Sequence, residues 1–338
     1  MVQKRTLDTF FQPPSQKKAK LEDQPAHSTA TTSQPASTHK TYPFAVPQFP
    51  DSIQEILISS TPAAEGKSIT HLQDLDLLYF QPFIPKSIEN ELFNFLRSKL
   101  FFYRVKYKIK RGPLETDINT PRFTTVFGLD ETSKFGPGGG GSGGGGEILD
   151  TKSGVKVPVD KYKKCVCEPR PIPACLDQLR QITEVFTGSS YNFCLVNYYA
   201  GGNDSISYHS DDERFLGPEP AIASFSLGAR RDFLLRHKPP KNGEMLGDED
   251  SKVLKYPLVS GDMILMRGKT QANWLHSIPK RKGGEVDKGR INITFRKAMV
   301  PGGTANYYQY NVGVGEVYKW NPLSRQMEPW TDHGKSPS

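Results

Sequence analysis

Arg290-Ile291-Asn292-Ile293-Thr294-Phe295-Arg296 places Arg290, Asn292, Thr294 and Arg296 at period two, so on a β-strand these four side chains share one face. Two guanidiniums on one face can meet the carboxylates of a dianionic cosubstrate. Upstream, His209-Ser210-Asp211 and the later His276 offer two imidazoles and one carboxylate. These are the ligand types that hold non-haem Fe(II) while leaving coordination positions open. Metal plus dicarboxylate points to an iron and 2-oxoglutarate oxygenase.

The strands around these motifs are short. In Phe193–Tyr199 one face carries Phe193, Leu195, Asn197 and Tyr199, and the other Cys194, Val196 and Tyr198. The first face passes from apolar to polar. It is either the wall of a barrel whose core grades into a pocket, with Asn197 and Tyr199 donating to a bound carboxylate, or a strand running from core to solvent. Ser260-Gly261-Asp262 forms a turn between Tyr256-Pro257-Leu258 and Met263-Ile264-Leu265-Met266. Such strands and turns over residues 190–298 predict an antiparallel, double-sheet jelly roll with ligands at its open end. Two helices are expected to buttress one sheet, giving an α+β fold. In the first, capped by Ser87, Ile88, Leu92, Phe95, Leu96 and Leu100 make an apolar stripe. In the second the stripe is Leu176, Leu179, Ile182, Val185 and Phe186, with Gly188 at its end.

The chain has 338 residues, 36% of them hydrophobic, and a net charge of +8. The low apolar fraction suggests one core domain with tails, and the positive charge favours polyanions such as nucleic acid. No run of eighteen apolar residues and no charged start followed by an apolar stretch occurs, so neither a membrane span nor a secretory signal is expected. Cys165, Cys167, Cys175 and Cys194 are too few for a disulfide scaffold, and their spacing lacks a paired CxxC; free thiols are expected rather than zinc ligands.

Residues 1–68 are rich in Pro, Ser, Thr, Gln and Lys and read as a disordered tail. Within it, one helical turn over residues 4–11 would put Leu7, Phe10 and Phe11 on one face, an anchor for a partner's pocket. The segment resembles the PCNA-interacting peptide of replication and repair enzymes, with Lys4 at the position of the usual Gln. Gln16-Lys17-Lys18-Ala19-Lys20 is consistent with nuclear import. Residues 136–146, almost entirely glycine, look like an engineered Gly/Ser linker in place of a longer loop.

Taken together, Asn197-Tyr198-Tyr199, His209 to Glu213, Ile222 to Ala229, His276-Ser277 and the Arg290–Lys297 strand, with Thr120-Pro121-Arg122 and Phe127-Gly128 upstream, resemble the AlkB family of Fe(II)/2-oxoglutarate nucleic-acid demethylases. The run Asp211-Asp212-Glu213 is most similar to its nuclear eukaryotic DNA-repair branch. The resemblance, over roughly residues 75–298, implies a double-stranded β-helix with iron held by His209, Asp211 and His276. It further implies 2-oxoglutarate held by Arg290 and Arg296 with Asn197, Tyr199 and Asn292, and N-methyl groups removed from bases with release of formaldehyde, succinate and CO2. DNA, or RNA, would be the macromolecular partner and the nucleus the location.

1-Methyladenine and 3-methylcytosine are cationic, and a carboxylate beside the iron would stabilise them; Glu213 is expected to face the base, with Asp212 orienting Arg290 or Arg296. Along Tyr103–Arg111, Arg104, Lys106, Lys108 and Lys110 share a strand face suited to phosphates. With Arg122, Lys110 and Arg111, this segment is read as a nucleotide-recognition lid. Arg230, Arg231, Arg236, His237, Lys238 and Lys241 form a second basic cluster, with His237 expected at the surface. The aromatic-rich segment Asn306–Trp330 is expected to pack across the helices. The organisation is thus a tail (1–68), helices and lid (69–189), catalytic core (190–300) and C-terminal extension (301–338). An RNA or N6-methyladenine demethylase, a protein hydroxylase, and a clamp-tethered binding module without turnover are the alternatives.

Overall fold

The computed structural model describes residues 46–111, 114–137, 147–157, 169–239, 252–284, 288–313 and 316–330, with backbone alone for 107–111, 114 and 116–118. It opens with α1 (Asp51–Ser60), β1 (Gly66–Ile69), β2 (Leu77–Phe80) and α2 (Glu89–Lys99). β3 (Phe102–Arg104), β4 (Lys106–Arg111), β5 (Leu114–Asn119), β6 (Phe123–Gly128), β7 (Ser133–Phe135), β8 (Ile148–Asp150) and α3 (Ala174–Thr187) follow. Next come β9 (Phe193–Tyr199), β10 (Ile206–His209), β11 (Ile222–Gly228), β12 (Arg231–His237), β13 (Leu254–Leu258) and β14 (Met263–Met266). The remaining elements are α4 (Thr270–Asn273), β15 (Trp274–Ile278), β16 (Arg290–Arg296), α5 (Ala305–Asn311), β17 (Glu316–Asn321) and β18 (Gln326–Pro329).

The strands pair antiparallel into a large sheet, β1-β2-β14-β11-β16-β9-β6-β3-β17-β18, and a smaller one, β10-β15-β12-β13. A cavity lies between them, lined by both, as in a jelly roll. β9 is buried along its whole length: Leu195, Asn197 and Tyr199 line the cavity, while Cys194, Val196 and Tyr198 belong to the core. Its polar end is therefore pocket wall, not a run towards solvent. The Ser260–Asp262 turn joins β13 in the small sheet to β14 in the large one, so it crosses between layers instead of closing a hairpin. Gly261 has φ +90°, and a Cβ there would sit 2.8 Å from the Ile84 carbonyl oxygen, so both backbone shape and space require glycine.

Both buttressing helices are present, with shifted details. α2 begins at Glu89, Ile88 occupies its N-cap without a side-chain cap, and Leu92, Phe93 and Leu96 are its buried residues; Phe95 is only partly covered, against Phe49. α3 buries Cys175, Leu176, Leu179 and Thr183, whereas Val185 is 76% and Phe186 43% exposed. Val185 is six residues beyond Leu179, roughly 240° around the helix, and so leaves the core face. Thr183 can take a core place because its hydroxyl donates to the Leu179 carbonyl at 2.6 Å. Gly188 ends the helix in the left-handed conformation, its N–H donating to the Glu184 carbonyl at 3.0 Å.

The proposed divisions of the chain are redrawn. Phe49, Ile53 and Leu57, spaced by four, are at most 2% exposed, so a core-forming amphipathic helix lies inside the segment assigned to the tail. The large sheet takes strands from both sides of residues 189 and 300. β17 pairs with β3, and Trp330 lies edge-on to Phe101 at 5.2 Å, so this end of the aromatic-rich segment packs against the large sheet. Leu7, Phe10 and Phe11 lie outside the described residues, as do Lys241, Cys165, Cys167 and residues 138–146. The ends flanking the glycine tract are neighbours: Phe135 pairs with Ile148 in a hairpin.

Candidate active site between the two sheets

His209 ends β10 and His276 sits opposite it on β15, their ring centroids 4.2 Å apart. Asp211 follows two residues beyond the strand. One ligand atom from each of the three lies within 4.8 Å of the others. His209 Nδ1 is 2.9 Å from the Ser207 carbonyl; an N–H donated there leaves Nε2 for the centre. Asp211 is held at both ends: its N–H donates to Gln271 Oε1 at 2.9 Å, and its Oδ2 accepts from Arg296 Nη2 at 2.7 Å. Its other oxygen, Oδ1, is 4.0 Å from His209 Nε2.

The electrostatics suit a metal. Burial alone would raise the Asp211 carboxyl, but Arg296 and the two imidazoles hold it down at about 2. Burial lowers both histidines, His276 to about 3 with His209 contributing. The centre therefore offers two neutral imidazoles and one carboxylate at neutral pH, which is the donor set of a site for Fe(II).

Arg290 stands at the other end of the same strand face. Its Nη2 donates to Ser226 Oγ at 2.7 Å, while Nε and Nη1 are buried with no partner among the described residues. Burial lowers this guanidinium to about 10. Buried orphan donors on a charged group are costly, and a carboxylate entering the cavity would satisfy them. Tyr199 packs under Arg290 at 5.3 Å, and Asn197 accepts from Arg122 Nε at 2.8 Å while donating to Asn292 Oδ1 at 3.2 Å. Asn292 in turn donates to Ser224 Oγ and the Phe225 carbonyl. The residues present thus fit both Fe(II) and the dicarboxylate.

Glu213 lines the cavity with 5% exposure; Oε1 accepts from Tyr307 Oη at 3.0 Å and Oε2 has no partner among the described residues. Burial, then the Asp211 charge, push its carboxyl up to about 8. Arg122 also lines the cavity. Asp212 does not take its expected place: it pairs with Lys238 at 2.9 Å, and the carboxylate that grips Arg296 belongs to Asp211. Of the three consecutive carboxylates at 211–213, only the first and third line the cavity.

The expected phosphate face is also altered. The strand is interrupted at Val105, and Arg104 bonds Asp204 at 3.1 Å and stacks on Phe123. In the β4–β5 hairpin Lys108 pairs in register with Asp117 and Lys110 with Glu115. The side chains of Lys110 and Arg111 lie outside the described residues. The second basic cluster divides. Arg231 is buried and donates to the Asp204 and Pro279 carbonyls, and His237 is buried against Trp274, not at the surface. Tyr307, Asn306, Tyr310 and Asn311 of α5 line the cavity, and Phe233 lies 5.5 Å from the His276 ring. The aromatic richness of residues 306–330 was visible in the sequence, but nothing local indicated which ring would reach the site.

Residues 76–296 match the model of the 2OG-Fe(II) oxygenase superfamily. Human DNA oxidative demethylase ALKBH2 is 40% identical over 135 residues, covering 39% of this chain and 49% of the relative. Alpha-ketoglutarate-dependent dioxygenase alkB homolog 3 of Rattus norvegicus is 41% identical over 139 residues, 40% of this chain and 45% of the relative. The ALKBH2 of Arabidopsis thaliana is 39% identical over 140 residues, 38% and 44% of the two chains. The chain spans about half the length of the curated relatives it matches. The family uses Fe(II) and 2-oxoglutarate, the two groups for which the cavity is built. With two thirds of its length inside that family model and these relatives beside it, the chain belongs to the 2OG-Fe(II) oxygenase superfamily and, within it, to the AlkB family.

Proposed function

We propose that the protein removes methyl groups oxidatively from N-alkylated bases in DNA, 1-methyladenine and 3-methylcytosine above all. One observation carries this reading: a buried carboxylate with an uncommitted oxygen, Glu213, shares the cavity with the His209–Asp211–His276 cluster. A cationic methylated base beside it would draw this buried carboxyl into its ionised form, an attraction that the neutral parent base does not offer. The names of the relatives, DNA oxidative demethylases among them, support DNA as the polymer.

His209, Asp211 and His276 would hold Fe(II), and Arg290, with Tyr199 and Asn197 beside it, would take a carboxylate of 2-oxoglutarate. The bound pair supplies activation of O2 coupled to decarboxylation of the cosubstrate to succinate. Arg296 keeps the Asp211 carboxylate ionised and aimed at the centre. Asn292 and Asn197 stiffen the wall, and Phe233 and Ile278 line the cavity with apolar surface. Glu213 holds the base with its methyl towards the centre, and the product hemiaminal releases formaldehyde. A base must leave a duplex stack to reach this enclosed position, or come from a single strand. The same reading assigns the protein to the nucleus, with Leu7, Phe10 and Phe11 anchoring it to the PCNA clamp.

The test is incubation with Fe(II), ascorbate and 2-oxoglutarate of single- and double-stranded DNA and RNA oligonucleotides carrying 1-methyladenine, 3-methylcytosine or N6-methyladenine, read by mass spectrometry. Loss of a methyl mass from the cationic bases in DNA, abolished by His209→Ala, is expected. Action confined to RNA or N6-methyladenine, or none at all, would overturn the assignment.

A further inference from the structure

The family model ends at residue 296, yet the cavity does not. Helix α5 begins nine residues later and contributes Asn306, Tyr307, Tyr310 and Asn311 to the cavity lining, beside Glu213, Arg296 and Arg122. Its placement is firm. Tyr308, on the face turned away from the cavity, donates to the Gly128 carbonyl at 2.8 Å and accepts the Arg170 N–H at 3.0 Å, and Thr124 Oγ1 donates to the Asn311 carbonyl at 2.6 Å. These bonds pin the helix to β6, which pairs with the cavity strand β9.

Tyr307 is fixed in turn. Its ring is fully covered between Phe193 and Phe215, at 5.3 and 5.5 Å, with the Arg296 guanidinium 5.5 Å from its centroid. From there its hydroxyl donates to Glu213 Oε1 at 3.0 Å. That bond commits one carboxyl oxygen to the protein and leaves Oε2 for a ligand, an acceptor once a cationic base holds the carboxyl in its ionised form. A carboxylate on a flexible side chain that is buried and held through one oxygen presents the other in a fixed direction, which is how a hydrogen-bond acceptor discriminates.

We propose that Tyr307, from a helix beyond the residues that the family model matches, is a positioning residue for base choice: it aims Glu213 so that Oε2 accepts from an exocyclic amine beside the methylated ring nitrogen. The proposal rests on the demethylase reading above. The favoured substrates carry an amine at that place, as 3-methylcytosine does. The disfavoured ones carry a carbonyl oxygen there, as 3-methylthymine does, and would set two acceptors against each other.

The experiment compares oligonucleotides that differ only in 3-methylcytosine or 3-methylthymine. Affinity is measured by fluorescence anisotropy with Fe(II) and 2-oxoglutarate but without O2, and kcat/KM with O2. Tyr307→Phe keeps the ring and removes the hydroxyl. It is expected to narrow the preference for 3-methylcytosine about tenfold in both measurements, the size of one hydrogen bond to a charged group. Glu213→Gln should lose the same preference, and the double variant should lose no more than either single one, because the two groups act as a unit. A Tyr307→Phe protein that binds both oligonucleotides more weakly by one common factor, or a Glu213→Gln protein that keeps the full preference, would overturn the proposal. If Tyr307→Phe does not fold, Glu213→Gln alone decides. Failure of the underlying reading has a separate signature, a wild-type protein that turns over neither oligonucleotide.

Discussion

Arg290 and Arg296 sit six residues apart on one face of β16, both buried in the same cavity, and the protein treats them in opposite ways. Arg296 is answered from within at both terminal nitrogens, where Asp211 and Thr294 accept at 2.7 and 2.6 Å; only its Nε lacks a partner among the described residues, and Asp211 drives its protonation up against the effect of burial. Arg290 reaches one serine hydroxyl and keeps two donors without a partner among the described residues. One guanidinium maintains a metal ligand; the other is left for a carboxylate to arrive. The strand repeats a residue type, and its neighbours differentiate the roles.

The largest effect expected from disturbing this pair is that of Asp211→Ala. It removes a ligand and leaves Arg296 buried without its carboxylate, so turnover should vanish and the protein should lose about 3–5 kcal/mol of stability, read by denaturant unfolding. Arg296→Met should weaken Fe(II) binding about 10–100-fold, as loss of a group that orients a ligand does; anaerobic metal titration checks this. Arg290→Lys keeps a charge but loses the planar fork, and is expected to raise KM for 2-oxoglutarate about tenfold.

A smaller effect follows from pH. Because burial lowers His209 and His276, protons should compete with metal only well below the ordinary histidine range. Metal affinity is expected to fall off at a lower pH than it would for histidines of the usual pKa of about 6.5. The sign for the metal-free protein agrees. Between about 3 and 6.5 the unfolded chain binds protons that the folded His276 refuses, so stability should fall as pH falls through that window. Glu213, whose carboxyl burial pushes up to about 8, acts in the opposite sense, so the profile is read in a Glu213→Gln protein, where a flat line through the window would contradict the burial argument.

How much of this was legible in the sequence depended on whether the information was local. His209, Asp211 and His276 were readable because ligand chemistry restricts residue type, and the β16 face because strand periodicity is two. The helix over Asp51–Ser60 was hidden by the polar composition of the segment before it, although Phe49, Ile53 and Leu57 carry the helical spacing. The roles of Asp212 and Glu213 were not readable. Adjacent carboxylates after a strand end are distinguished only by what folds over them, here Lys238 and a tyrosine 94 residues away. His237 shows the same limit: a basic run gave no sign that Arg231 and His237 turn inward while Arg236 does not.

The most direct test of this division of labour is an anaerobic titration of Fe(II), and then of 2-oxoglutarate, into the wild-type, Arg290→Met and Arg296→Met proteins. The predicted result is that Arg290→Met retains its metal affinity and loses 2-oxoglutarate affinity, whereas Arg296→Met loses metal affinity, and cosubstrate binding along with it. An Arg290→Met protein with equally weakened metal binding, or an Arg296→Met protein that binds Fe(II) as the wild type does, would contradict the account.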